Sequence, residues 1–258
     1  MTERRFYMTS EQISTLFGLM LEYTVPTLKI FGFTLLYSIP LGMVVALLKM
    51  CRFKPVSWLT NVYILIMRGT PLLLQLIVAQ YSVPYIIKSD ICPGFLRDML
   101  GGVDIRSESY TFNMMLIAFV LNYAAYFAEI FRGGIESIPK GQYEAAGALG
   151  FNKLQTFFRI ILPQVAQRVL PASSNEVITL VKDTSLASAI PYMEIMYIAK
   201  KQVPTYASLL PLFMAGLFYF VFASLLTVLL SMIEKCFTHT WKRGIKNFAR
   251  GLFRRGNA

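Results

Sequence analysis

Charge is what this 258-residue chain has least of. Only 15% of its residues are Asp, Glu, Lys or Arg, where an ordinary soluble domain carries roughly 25%. Histidine occurs once, as His239, so no histidine cluster for metal catalysis exists. The three cysteines, Cys51, Cys92 and Cys236, are an odd number without metal-type spacing. Neither a disulfide framework nor a zinc site is indicated. No Ser/His/Asp set and no Gly-x4-Gly-Lys-[Ser/Thr] phosphate loop appears, which leaves no support for a membrane-embedded enzyme or for ATP bound by this chain. Met1 to Ser10 is polar, and no short apolar run with a small-residue cleavage site follows, so no removable signal peptide is expected.

Apolar residues are what the chain has in excess: 55% of the total, with a mean hydropathy of +0.54. A chain this size cannot hide so much apolar surface in its own interior. The class is therefore integral membrane protein, which also answers the charge balance. A net charge of +11 and a pI near 9.6 would ordinarily raise nucleic acid as a partner; here they read as a topology signal plus attraction to anionic inner-leaflet lipid.

A hydrocarbon core about 30 Å thick needs roughly 20 helical residues to cross. Five segments qualify as expectations. Ile30 to Leu48 carries no charge. Pro55 to Ile87 contains only Arg68, and Ser109 to Ala128 is clean. Val169 to Met193 is interrupted by Glu176, Lys182 and Asp183. Gln202 to Ile233 is charge-free, with Pro204 and Pro211 placing its helix start near Leu209. If each segment crosses once, Lys49, Arg52 and Lys54, the basic residues from Arg132 to Arg168, and the tail from Lys235 to Arg255 all fall on one side. That gives five transmembrane helices, the N-terminus outside and the C-terminus cytoplasmic. Two crossings by Pro55 to Ile87 would move the last two basic segments outside.

Two flanks look interfacial. Trp241, Ile245, Phe248 and Leu252 form an apolar stripe between basic residues, the pattern of a helix lying in the headgroup region, with a surface contact to a soluble partner as the other reading. Ile13, Leu16, Phe17, Met20 and Leu21 form a similar stripe, expected as a short external helix leading into Pro26. The chain thus divides into an external amphipathic segment at 1–26, a transmembrane domain at 27–235 and a basic cytoplasmic tail at 236–258.

The basic loop at about 136–163 carries the strongest pattern. Pro139 and Gly141 break the backbone, Glu144-Ala-Ala-Gly-Ala-Leu is expected to form a compact helical turn or two, and Gly150 to end it at positive φ. Leu154, Phe157, Phe158 and Ile161 then make an apolar face running to Pro163. Two short helices on the cytoplasmic side suit a groove in a soluble partner.

Glu144-Ala145-Ala146, three residues, Gly150, nine residues and then Ile160-x-Leu162-Pro163 resembles the EAA motif of bacterial ABC-importer permeases at every signature position. Arg68-Gly-Thr-Pro-Leu-Leu-Leu-Gln75, Tyr126-Phe-Ala-Glu-Ile-Phe-Arg-Gly-Gly-Ile135, Asn175-Glu176 and Lys182-Asp-Thr-Ser-Leu186 look like the permeases for polar amino acids. The motifs cover most of residues 24 to 235; the outer loop from Lys88 to Glu108 and the tail beyond Lys235 fall outside.

The resemblance implies a type I ABC importer permease of the bacterial inner membrane. It also implies an extracytoplasmic amino-acid-binding protein, a second permease subunit (the same chain or a sister) and a cytosolic ABC ATPase dimer that carries the ATP and Mg. The chain itself would bind no cofactor and no metal. By position, Glu144, Ala145, Ala146 and Gly150 belong to the element that couples to the ATPase. The two alanines would permit close approach, and Glu144 would either pair with a basic group on the ATPase or cap its own turn.

Ionised side chains at mid-bilayer cost about 2.5 to 3.5 kcal/mol each on insertion scales, so Glu176, Lys182 and Asp183 are expected to face the protein interior, water or one another. Glu176, Thr179 and Asp183 share a helix face, and Lys182 points away from Glu176. Gly69 and Pro71 are expected to loosen the helix beside Arg68 and expose backbone groups to a cavity. Glu129 is expected at the inner interface beside Arg132. An amino acid needs desolvated partners of both signs. Arg68 could take its carboxylate and Glu176 or Asp183 its ammonium, with Thr70, Asn175 and Thr184 as neutral path candidates. The same charges could instead pair across spans as packing contacts. An ATP-independent transporter or channel would more often show internal repeats and more spans.

Overall fold

The structure, a computed structural model, describes the backbone of residues 8–88, 93–94, 102 and 104–255, and the side chains of 8–86, 93–94, 102 and 104–237. All regular structure among them is helical: α1 Ser10–Lys49, α2 Lys54–Gly69, α3 Leu72–Lys88, α4 Glu108–Glu136, α5 Lys140–Ala148, α6 Lys153–Thr156, α7 Leu162–Asp183, α8 Ile195–Tyr206 and α9 Leu210–Arg255. A π-helical turn, Phe157–Ile161, joins α6 to α7, and a 3-10 turn, Thr184–Ala189, follows α7.

Three helices are long and apolar enough to cross a membrane: α1, α4 and the Leu210–Phe237 part of α9. The pair α2 and α3, bent by 107° at Thr70 and Pro71, makes a fourth if it counts as one broken span. The loosening expected at Gly69 and Pro71 is thus a sharp break, because Pro71 offers no N–H to the preceding turn and its ring obstructs continuation. The segment expected as a crossing at Val169 to Met193 is not among these helices. α7 stops at Asp183, and Gln164, Gln167, Arg168, Asn175, Glu176 and Lys182 dilute its hydropathy.

The expected short helix before Pro26 is instead part of α1, whose 40 residues measure about 60 Å at 1.5 Å per residue. Thr9 and Gln12 start α1 with a reciprocal capping box. Thr24 and Thr27 donate to the Met20 and Tyr23 carbonyls beside Pro26. The stripe itself splits: Leu16 and Met20 are fully buried against Ile195, Ile198, Ala199 and Ala215, whereas Ile13, Phe17 and Leu21 remain exposed. The helix expected to start near Leu209 begins at Leu210. The tail residues Trp241, Ile245, Phe248 and Leu252 have side chains outside the described residues, although the α9 backbone runs helical through them.

Two compact units share the chain: residues 1–129 with 179–222, and residues 130–178 with 223–258. In the first, α1 meets α4 where Gly42 leaves room. A Cβ there would stand 2.7 Å from the Phe127 Cβ and 3.0 Å from the Ala124 carbonyl oxygen. Lys49, at the end of α1, pairs with Glu129, and Arg132 pairs with Glu136. Glu194 is fully buried and caps α8, accepting from the Met196 and Tyr197 N–H groups and from the Tyr219 hydroxyl. The second unit packs Ile138, Ile161 and Val165 into a small core.

Candidate functional site

The second unit holds the elbow that the loop pattern singles out. α5 begins after Pro139 and ends at Ala148 with Leu149 as its cap, followed by Gly150 at φ +77°. The Gly150 N–H reaches the Gly147 carbonyl at 3.0 Å and the Phe151 N–H the Ala146 carbonyl at 3.1 Å. These are the two bonds of a Schellman closure, which requires a left-handed residue at this point. Asn152 and Gln155 then cap α6 reciprocally. Ala146 is buried while Glu144 and Ala145 are exposed. Among the described residues, Glu144 makes no hydrogen bond or ion pair, so its own turn does not use it as a cap. Of the expected apolar face, Ile161 is buried, whereas Leu154 and Phe158 stay exposed along with Tyr143 and Leu149.

The first unit holds the helix break. Arg68 lies at the end of α2 with its guanidinium carbon 5.1 Å from the centroid of the Tyr126 ring, within cation–π range. Tyr126 and Tyr123 stand 6.3 Å apart by ring centroid, and the Tyr123 hydroxyl donates to Asp183 at 2.7 Å. A cation and a carboxylate are thus linked through two tyrosines of α4. Thr70 is half-buried; its hydroxyl donates to Ile66 O at 2.8 Å and accepts from Gln75 Nε2 at 2.7 Å. The Asn122 side chain, 4% exposed, donates to the Met67 carbonyl at 2.9 Å and to Gln75 Oε1 at 3.0 Å.

The remaining path candidates lie elsewhere. Thr184 is buried and spends its hydroxyl on the Val181 carbonyl at 2.7 Å. It lines a cavity of about 30 Å³ with Thr24, Thr27 and Tyr219, which is room for a water, not a solute. Asn175, exposed, and Glu176, half-buried, belong to the second unit. A larger cavity of about 730 Å³ is lined by Tyr23, Gln80, Tyr81, Arg106, Glu108 and Thr111, among others. Among the described residues no group of three or more His, Cys, Asp and Glu side chains is placed to hold a metal.

The geometry therefore offers a folded elbow with exposed apolar residues and a broken apolar helix carrying a seated arginine. Residues 38–239 match the family described as the binding-protein-dependent transport system inner membrane component. The chain belongs to that family. It is a permease component of an ABC importer, a multi-pass protein of the bacterial inner membrane, and ATP hydrolysis lies on a separate subunit. The reading as an ATP-independent transporter falls with that result.

The permease is 35% identical over 217 residues to the arginine transport system permease protein ArtQ of Bacillus subtilis, covering 84% of this chain and 91% of ArtQ. It is 39% identical over 206 residues to the octopine permease protein OccM of Rhizobium radiobacter, covering 77% and 79%. A solved amino acid ABC transporter, crystallised with histidines, superposes with a TM-score of 0.72 at 28% identity over 89% of this chain and 99% of that one. An importer of the polysaccharide alginate shares the fold, with a TM-score of 0.69 at 15% identity over 90% and 85% of the two chains. The fold alone does not decide the cargo.

Asn122 and Tyr123 escaped the sequence reading because each is one polar letter in an apolar run, with no spacing to mark it. Gln75 and Tyr126 stood inside quoted motifs without an assigned task.

Proposed function

We propose that the permease imports an amino acid, taking it from an external binding protein and releasing it to the cytoplasm as an ATPase dimer turns over. The observation that carries this reading is the chain of contacts along α4: Arg68, at the break, on the Tyr126 face, and Asp183 held by the neighbouring Tyr123. A zwitterion needs one group of each sign in a place shielded from water, and discontinuous membrane helices are where such groups are tolerated. Arg68 meets the carboxylate and Asp183 the ammonium, with Thr70 beside them; Asn175 and Glu176 are the path candidates of the second unit. The named cargoes of the relatives, arginine for ArtQ and L-cystine for TcyB of Bacillus subtilis, support the same class.

The permease crosses the membrane five times, with α7 as the polar fifth helix among four apolar spans. The N-terminus lies outside and the tail in the cytoplasm, on the argument that Lys and Arg collect at the inner ends of spans. The elbow meets the ATPase through Tyr143, Leu149, Leu154 and Phe158, with Glu144 directed to a basic group on that subunit. A second permease subunit, the same chain or a sister, completes the path.

Uptake by the purified complex in proteoliposomes, with its binding protein outside and ATP inside, tests the cargo. ATP-dependent accumulation of an α-amino acid is expected; transport of a peptide or sugar with no amino acid carried would overturn it. Glu176→Gln separates path from packing, since normal affinity together with normal turnover removes Glu176 from the path.

A further inference from the structure

We propose that Asn122 and Gln75 form an amide latch that replaces the donor missing at Pro71 and so aims Arg68. A continuous helix would send the N–H of residue 71 to the Met67 carbonyl, and a proline has none. At Thr70 the backbone turns extended, φ −117° and ψ 148°. The Met67 carbonyl is thereby stranded in an apolar span, where an unsatisfied backbone group is costly. Two side-chain amides converge on it: Gln75 Nε2 at 3.0 Å and Asn122 Nδ2 at 2.9 Å. Asn122 gives its second hydrogen to Gln75 Oε1, and Gln75 gives its second to the Thr70 hydroxyl at 2.7 Å. The amide orientations are fixed by the partners, since turning Asn122 over would set its oxygen against two oxygens.

What the latch does follows from where Asn122 sits. Tyr126 is four residues further along α4 and so on the same helix face. That face therefore grips two consecutive residues of α2: Met67 by its carbonyl through Asn122, and Arg68 by its charge through Tyr126. The latch sets the rotation of the α2 terminus, and that rotation decides whether the Arg68 side chain lies on the ring. Asn122 and Gln75 are positioning residues; neither touches the cargo. The inference rests on the reading that Arg68 receives the carboxylate.

The test is equilibrium binding of radiolabelled arginine and glutamine to the full permease–ATPase complex in nanodiscs, without the binding protein, for wild type, Arg68→Gln, Asn122→Leu and the double variant. Asn122→Leu is expected to weaken binding about tenfold, the factor that one or two lost hydrogen bonds carry, and to add nothing once Arg68 is replaced. Asn122→Ser, which keeps a hydroxyl donor, is expected to fall between. Wild-type affinity in Asn122→Leu, or a loss additive with Arg68→Gln, would overturn the latch while leaving the role of Arg68 intact. Equal binding by wild type and Arg68→Gln, or no binding by wild type, would overturn the reading of Arg68 and the latch with it. If Asn122→Leu does not assemble, Asn122→Ser and Gln75→Leu carry the same comparison.

Discussion

Gly150 offers a perturbation whose outcome depends on one backbone angle. Its φ of +77° lies in the left-handed region, and a Cβ added there would meet nothing within 4 Å. Size is therefore not what excludes a side chain. An L-residue in this conformation costs roughly 1 to 2 kcal/mol, and 1.4 kcal/mol is about a tenfold change in population. Ala at 150 should thus reduce the fraction of elbows with the α5 closure intact about tenfold relative to alternatives. A β-branched residue should reduce it further. Asn, though larger than Ala, tolerates the left-handed region and should disturb the closure least. At stake are the two bonds from Gly150 and Phe151 to the Gly147 and Ala146 carbonyls, which orient α5 against α6. The assay is amino acid uptake per ATP hydrolysed in proteoliposomes, with Gly150→Asn, Gly150→Ala and Gly150→Val compared. The expected order of coupling is Asn above Ala above Val. An order that follows side-chain volume, or full coupling in Gly150→Val, would refute the argument.

Gly42→Ala is expected to force α1 away from α4, since its Cβ would stand 2.7 Å from the Phe127 Cβ. A loss of about 1 to 3 kcal/mol should appear as a lower unfolding temperature in detergent, and an unchanged transition would contradict the packing. Ala145→Arg is expected to leave the permease folded while abolishing co-purification of the ATPase subunit, because Ala145 is exposed. Ala146→Arg, at a site 1% exposed, should instead expose the elbow to proteolysis; identical behaviour of the two variants would defeat the distinction. Lys49→Met should cost about 1 to 3 kcal/mol, discounted because the paired side chains keep 19% and 16% exposure. The reversed pair, Lys49→Glu with Glu129→Lys, should recover most of it in the same melting assay.

The elbow was legible because everything that shapes it is local. Pro139, Gly150 and the capping pair Asn152 and Gln155 act within a few residues of where they stand. The break was half legible: Gly69 and Pro71 announce that a helix is interrupted, but not what satisfies the freed carbonyl. Asn122 lies 55 residues away from Met67 in sequence, and its partner is a backbone oxygen, which has no letter in a sequence. Helix α8 went unread because Lys200, Lys201 and Pro204 obscure a short apolar face carried by Ile195, Ile198 and Ala199. Glu194, one residue past the segment expected to end at Met193, is a fully buried cap bonded to Tyr219 25 residues on, and nothing in its neighbouring letters marks that distant partner.

Both candidate sites form where a residue stops the helical ladder, and the two solutions differ in a way that bears on function. At the elbow the freed groups bond to the backbone of the same turn, so the element keeps its shape as a self-contained unit. Such a piece can be pushed as a rigid body by a partner and needs no distant support. At the break the freed Met67 carbonyl is held by side chains, one of them from another helix. Its geometry therefore holds only while α4 stays in register with α2. A shift of α4 by even part of a turn would remove the Asn122 bond and the Tyr126 seat together. If Arg68 receives the carboxylate as proposed, it would then release its hold without any change in its own chemistry. On that proposal α4, rather than Arg68 itself, is the element whose movement would set affinity in an importer that must bind on one side and let go on the other.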